Sequence, residues 1–384
     1  MTDLIEGMEQ WMTRPADERF ESIEAMHAVA LRDRRESGSE AMPMSMLRVS
    51  PANNSHTMQL TANTDRLDFT HWSFGQMCRL ARAPAEYLTR LPADVAADAL
   101  NASLDSMGEK DVQLFARQNG GNVARAITGK KYERIWNADV VERLFDLSDE
   151  GWRVPPARPA FEDQPGTRPA TEDDVLDGGG FLSISVGDLI APAGLYMGDR
   201  DMFVFMVNEN ATLDDGAGNP MSRGFFVSNS EVGSKSFQVT RFLYSHVCGN
   251  HIVWGAQNIA KLRVVHVGAA ATGALENFNV QLTEYADSTA ADDTAAIKAF
   301  RDTVIAADKD AVIDAIFGKR AIGLGKKTIK AAFDVAEEKS DTYGNPCAVW
   351  GMVNGLTEVS QRSAYAGERT KIDTAAGQLM VTEW

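Results

Sequence analysis

The chain has 384 residues, 38 basic and 54 acidic side chains, and a formal net charge of −16. That balance excludes a histone-like or polyarginine mode of nucleic-acid binding, which needs a basic face. Hydrophobic residues at 44%, including 17 Phe, 7 Trp and 16 Met, supply a core and exclude global disorder.

The first ten residues, MTDLIEGMEQ, lack the apolar stretch of a signal peptide, and no apolar run reaches membrane-spanning length. Cys78, Cys248 and Cys347 are odd in number and far apart, which fits a reducing compartment. A cytoplasmic protein with no membrane partner is therefore expected.

Residues 1–43 read as an acidic helical arm anchored by Trp11 and Phe20. Residues 44–150 read as an α/β region. A short strand is expected near Met44–Val49, then a cascade of helices from 70 to 105. Thr70 or Ser73 caps the first, and Phe74, Met77, Cys78 and Ala81 share its buried face. Pro84 opens the second, with Tyr87, Leu88 and Leu91 inward; Pro92 opens the third, with Val95, Ala99, Leu100 and Leu104 inward. Alternation at Val112, Leu114 and Ala116, a Gly120-Gly121 turn and Val123–Ile127 predict a hairpin. A helix capped by Asn137 follows to Leu147.

Residues 151–180 hold five of the 13 prolines and read as a linker or long loop. Residues 181–271 are β-rich, with strands at Phe181–Val186, Met202–Val207, Phe225–Ser228, Phe242–Cys248, His251–Trp254 and Leu262–Val267, and a polar loop over Asn208–Ser222. Residues 272–384 are mainly helical, ending on a helix over Ala348–Ser363. The fold class is α+β: a mostly antiparallel sheet flanked by helices, with a helical N-terminal arm and a helical C-terminal region.

Two basic clusters carry the functional expectation. Arg117, Arg125, Lys130, Lys131 and Arg134 are interleaved with Tyr132 and Trp136, the cation-plus-aromatic composition of single-strand binding. Lys326 and Lys327 open a predicted helix whose approach also carries Lys319 and Arg320, an arrangement suited to phosphate. The plain alternative is that these are solvated faces around core aromatics. His246, Cys248 and His251 are weak metal or nucleophile candidates, because no fourth ligand lies nearby. Asp214–Asn219 fails the calcium-loop pattern, and Gly323–Thr328 fails the phosphate-loop pattern. Gln76–Leu91 imitates a helix-turn-helix, but its second helix offers few base-reading side chains and is broken at once by Pro92. Hydrolase and dehydrogenase motifs are absent, and no cofactor is expected.

The segment Gly224–Ser236 (GFFVSNSEVGSKS), followed by Tyr244–Asn250 (YSHVCGN), resembles the signature of the uncharacterised "phage/plasmid-like protein" family. Phe74–Met77, Pro84–Leu88, Val123–Tyr132 and Trp350–Thr357 (WGMVNGLT) are similar to other parts of that family. The resemblance implies a mobile-element setting and no particular reaction. The leading expectation is a phage or plasmid protein of DNA replication or recombination that binds single-stranded DNA without catalysis, as a homo-oligomer. The alternatives are an enzyme with a site near Cys248 and an oligomeric protein that binds a host partner.

Overall fold

The computed structural model describes residues 20, 22–52, 57–108, 110–117, 121–147, 150–154, 158–159, 168–172, 185–191, 194–216, 218–245, 251–253, 263–264, 266, 290–362 and 366–384, with isolated positions between 273 and 287. The class is α+β, with mostly antiparallel sheets and helices at both ends of the chain.

Helix α1 (Ile23–Glu36) is capped by the Ser22 hydroxyl and buries Met26 and Ala30. The chain then turns into β1 (Ser37–Pro43), a strand where the sequence reads helix. Its short polar residues are poor at holding a helix but can pair along a sheet edge, opposite β5 (Asp111–Arg117). Strands β2 (Leu47–Pro51), β3 (Met58–Ala62) and β4 (Asp65–Phe69) and the β5–β6 hairpin, with β6 at Val123–Gly129, complete a six-stranded sheet in the order β1-β5-β6-β4-β3-β2. All its pairs are antiparallel except β4 with β6.

Helices α2 (His71–Leu80), α3 (Ala85–Leu88) and α4 (Ala93–Asp105) form the connection. Thr70 and Ser73 make a reciprocal capping box on α2. The α4 face is rotated from the expectation: Ala93, Ala96, Ala97, Leu100 and Leu104 are buried, and Val95 is exposed. Alanines let the helix lie close on β2, where Asn101 pairs with both the N–H and the C=O of Val49 and occupies that strand's outer hydrogen bonds. Tyr87 is likewise exposed, while Leu88 is buried. Helix α5 spans Asn137–Asp146.

The second large sheet has the order β11-β12-β13-β14-β15, from Leu195–Met197, Met202–Asp214, Pro220–Asn229, Phe237–Ser245 and His251–Val253. Strand β7 (Trp152–Arg153) pairs with β12, and β16 (Arg263–Val264) with β14. A small sheet of β8 (Arg158–Pro159), β9 (Arg168–Pro169) and β10 (Leu189–Ala191) occupies part of the proline-rich stretch. The polar segment expected as a loop over 208–222 is mostly hairpin. Strands β12 and β13 stay paired to Asp214↔Pro220 after a register shift between Val207 and Thr212. Of the strand expected at Phe181–Val186, residues 181–184 lie outside the described residues.

Both faces of the second sheet are covered, which explains the unbroken apolar run Met202–Val207. Met202, Val204, Met206, Phe225, Val227 and Phe237 face a core shared with α1 and α5. Phe203, Phe205, Val207, Phe226, Phe242 and Tyr244 face the opposite way.

The C-terminal helices are α6 (Ala290–Asp302), α7 (Lys309–Gly318), α8 (Lys326–Glu338), α9 (Ser340–Tyr343), α10 (Val349–Gln361) and α11 (Ala366–Leu379). Helix α10 carries the WGMVNGLT segment and is buried on nearly every side. Gly355 permits this, because a Cβ there would lie 2.1 Å from the Ala332 carbonyl oxygen of α8. Gly355→Ala therefore forces α8 and α10 apart. The expected cost is about 1–3 kcal/mol of stability, read as a lower midpoint in urea unfolding with little change in slope.

Candidate functional site

Of the first basic cluster, Arg125 and Arg134 are brought together with Tyr132 and turned inward, whereas Lys130 and Lys131 stay at the surface. Strand β6 and the segment after it meet the turn between β13 and β14, residues 229–236. Arg125 and Glu231 form an ion pair at 3.1 Å with side chains 6% and 2% exposed. The other Glu231 oxygen accepts the N–H of Asn137 at 2.9 Å and so caps α5 from a distant strand turn. The Asn137 side chain instead accepts from Asn229, which also donates to the Ile135 carbonyl.

Arg134 donates to the Glu231 carbonyl at 2.6 Å, and its guanidinium lies 3.6 Å from the centre of the Phe115 ring. Burial lowers its pKa to about 10, against upward pulls from Tyr132 and Glu231, so it stays charged at neutral pH. The Tyr132 hydroxyl donates to the Ser230 carbonyl at 2.8 Å, and its ring stacks on His266 at 5.2 Å. Burial pushes the Tyr132 phenol well above its ordinary value.

Arg117 pairs with Asp33 of α1 at 2.9 Å. Lys130 pairs with Asp111 at the surface, and Lys131 is exposed. Lys326 pairs with Asp314 at 2.6 Å, while Lys327 is exposed at the start of α8. Arg125, Arg134 and Tyr132 thus join two parts of the molecule, through the Glu231 carboxylate, the Glu231 carbonyl and the Ser230 carbonyl. The sequence reads cations near aromatics correctly. What it misses is Glu231, a partner about 100 residues away in the chain.

His246 and Cys248 lie outside the described residues, and His251 begins β15. No group of three or more possible metal ligands occurs among the described residues. The free cysteines described, Cys78 and Cys347, have raised pKa values chiefly through burial; Cys78 is pushed up to about 12. No described helix is long and apolar enough to cross a membrane.

Beyond the 229–236 turn lies a cavity of about 540 Å³. Its floor follows from strand register. Phe203, Phe226, Ser228, Gln238 and Thr240 share one face, because Phe203 pairs with Ser228, Ser228 with Gln238 and Phe226 with Thr240. That face is aromatic toward β15 and changes to hydroxyl and amide groups toward the turn. Ser234, Lys235 and Ser236 form one wall, and Thr370, Lys371, Thr374 and Gln378 of α11 form another. Ala321 and Ile322 close one end, in the loop that carries Lys319 and Arg320. The lining contains two lysines and no acid, in a chain where acids outnumber bases 54 to 38. The Lys235 ammonium lies 5.3 Å from the centre of the Phe203 ring.

The inner face of helix α11 is mixed, polar in its first half and apolar at Ala375, Ala376 and Leu379. Arg369 and Asp373 are 4% and 1% exposed. Arg369 donates to the Tyr196 hydroxyl at 2.6 Å, and Asp373 accepts from Ser360. Its apolar stripe, Ile372, Ala375, Ala376 and Leu379, is confined to the second half of the helix.

A family model described as "Domain of unknown function (DUF932)" matches residues 173–378, more than half of the chain. No curated protein and no solved structure matches it. Every residue lining the cavity lies inside the matched span.

Two predictions concern the junction. Glu231→Gln or Arg125→Met alone leaves a buried partner uncompensated and costs about 3–5 kcal/mol. The double variant costs less than the sum of the two, as a double-mutant cycle of urea unfolding will show. The second concerns His266, whose pKa is lowered by burial and by Arg134, against an upward pull from the Glu133 carbonyl. The unfolded chain takes up that proton first, so stability is full above about pH 6.5 and falls with pH below it. His266→Asn will flatten the decline of the unfolding midpoint between about pH 6.5 and 5.5.

Proposed function

The chain belongs to the DUF932 family, and on that premise we propose that it is a non-catalytic single-strand DNA-binding protein of replication or recombination on a phage or plasmid. The observation that carries this reading is the lining of the cavity beside α11. Two lysines can neutralise phosphates, Phe203 and Phe226 give an apolar floor for a base, and serine, threonine and glutamine side chains can bond sugar and base edges. A surface of this acidity repels a polyanion wherever acids are dense, so an acid-free lining is where one is admitted. The volume of about 540 Å³ suits a small segment of strand and not a duplex.

The cations named from sequence keep a narrower part. Lys326 and Lys327 follow the 319–325 loop whose Ala321 and Ile322 line the cavity, so a strand leaving that end passes toward them. Arg125 and Arg134 act by holding the wall in place. The mobile-element setting comes from the resemblance of residues 224–250 and 350–357 to the phage/plasmid-like family.

The test is fluorescence anisotropy of a labelled oligothymidylate over a range of salt. Binding weakens as salt rises, and Lys235→Ala and Lys371→Ala each reduce the slope of log K against log salt by roughly 0.7, the single-strand value per phosphate contact. Unchanged affinity and slope in the double variant would remove the cavity as the site. Equal affinity for duplex and single strand would remove the single-strand reading.

A further inference from the structure

We infer that Trp72 and Gln76, on α2 of the N-terminal sheet region, are positioning residues that set the Lys235 wall of the cavity. This inference rests on the cavity being the binding site. Both side chains reach one atom: Trp72 donates its indole N–H to the Val232 carbonyl at 2.8 Å, and Gln76 donates its amide to the same oxygen at 2.9 Å. The Gln76 oxygen accepts the N–H of Ile127 on β6 at 2.9 Å, which ties the orientation of the amide to the sheet. Val232 is 1% exposed and packs against Phe115 and Ala126, with Trp72 and Trp136 around it. The anchor therefore fixes the backbone of residue 232 by two hydrogen bonds and a seated side chain.

Only two residues, Gly233 and Ser234, separate this anchor from Lys235, and little in between can rotate. The Ser230 hydroxyl accepts the N–H of Val232 at 3.2 Å and of Ser234 at 3.0 Å. Gly233 has φ +81°, which a side chain disfavours, and a Cβ there would meet the Tyr132 ring at 3.4 Å. The Ser234 hydroxyl donates to the Arg200 carbonyl at 2.8 Å, and the Arg200 guanidinium lies 5.0 Å from the Trp72 ring. Anchor, turn and Lys235 form a short stiff lever. Trp72 and Gln76 lie outside residues 173–378, so the N-terminal region acts on a cavity built wholly within the family unit. By reciprocity, a ligand held by Lys235 also tightens the seating of Val232.

The test is a double-mutant cycle between Trp72 and Lys235, read by anisotropy of a fluorescein-labelled oligothymidylate. Trp72→Phe keeps an aromatic ring beside Arg79 and Arg200 and removes the indole N–H together with the second ring. It should weaken binding about three- to tenfold in the otherwise unchanged protein, and less than about twofold when Lys235 is already alanine. Gln76→Met is the second variant and should behave alike. An equal loss in both backgrounds overturns the inference, because the effect then does not pass through Lys235. No loss from either variant also overturns it. If Lys235→Ala alone leaves affinity unchanged, the cavity reading itself falls, and the two failures are thus told apart.

Discussion

Glu231 is a carboxylate held away from water with a guanidinium on one oxygen and a helix N-terminus on the other. A lone buried charge is strongly unfavourable, so this turn is stable only when Arg125 and the start of α5 are both in place. That requirement joins three things far apart in the chain: the β5–β6 hairpin, helix α5 and the β13–β14 turn. Around the ion pair the same turn gives up its carbonyls in sequence, Ser230 to Tyr132, Glu231 to Arg134, and Val232 to Trp72 and Gln76. Buried ion pairs often contribute little net stability compared with an apolar core, but they discriminate well between right and wrong docking. The tightness of this junction sets the position of whatever the turn carries next, and what it carries is Lys235.

The other determinant is the change in character along one face of a sheet. Between Phe242 and Thr240, and between Phe226 and Ser228, the face passes from aromatic to hydroxyl over a single residue pair. Helix α11 covers the aromatic part through Arg369, which lies over Phe205 and bonds Tyr196. It stands off the polar part and leaves the cavity. An anion site in a protein of charge −16 has to be built by exclusion of acids as much as by inclusion of lysines. The cavity meets that condition because the residues that strands, turn and helix turn toward it are all non-acidic, while Glu231 of the turn and Asp373 of α11 are buried against protein partners.

Much of the fold was legible from local pattern. The β5–β6 hairpin, the Met202–Val207 strand and helix α8 stand where alternation, an apolar run and helical spacing place them. Pattern fails where tertiary pairing decides. Ser37–Pro43 becomes a strand because β5 offers an edge, and the polar 208–222 segment stays extended because β12 and β13 hold each other in register. The site divides the same way. The cations at 117–134 stand out in sequence, but their partner Glu231 is invisible without the fold. Lys235 sits inside the recognised GFFVSNSEVGSKS segment and reads there as part of a turn. Lys371 lies on a helix whose buried face opens on Arg369 and Asp373, so that its apolar period, from Ile372 to Leu379, is short.

In the proposed function, single-stranded DNA occupies the cavity and is felt at the anchor through the 229–236 turn. Amide hydrogen exchange with and without a saturating oligothymidylate tests both parts together. Slower exchange is expected over residues 234–240 and 370–378, and over Val232 and the α2 segment that holds it. Protection confined to the surface around Lys130 and Lys131, or to the start of α8, with residues 232–240 unchanged, would contradict it.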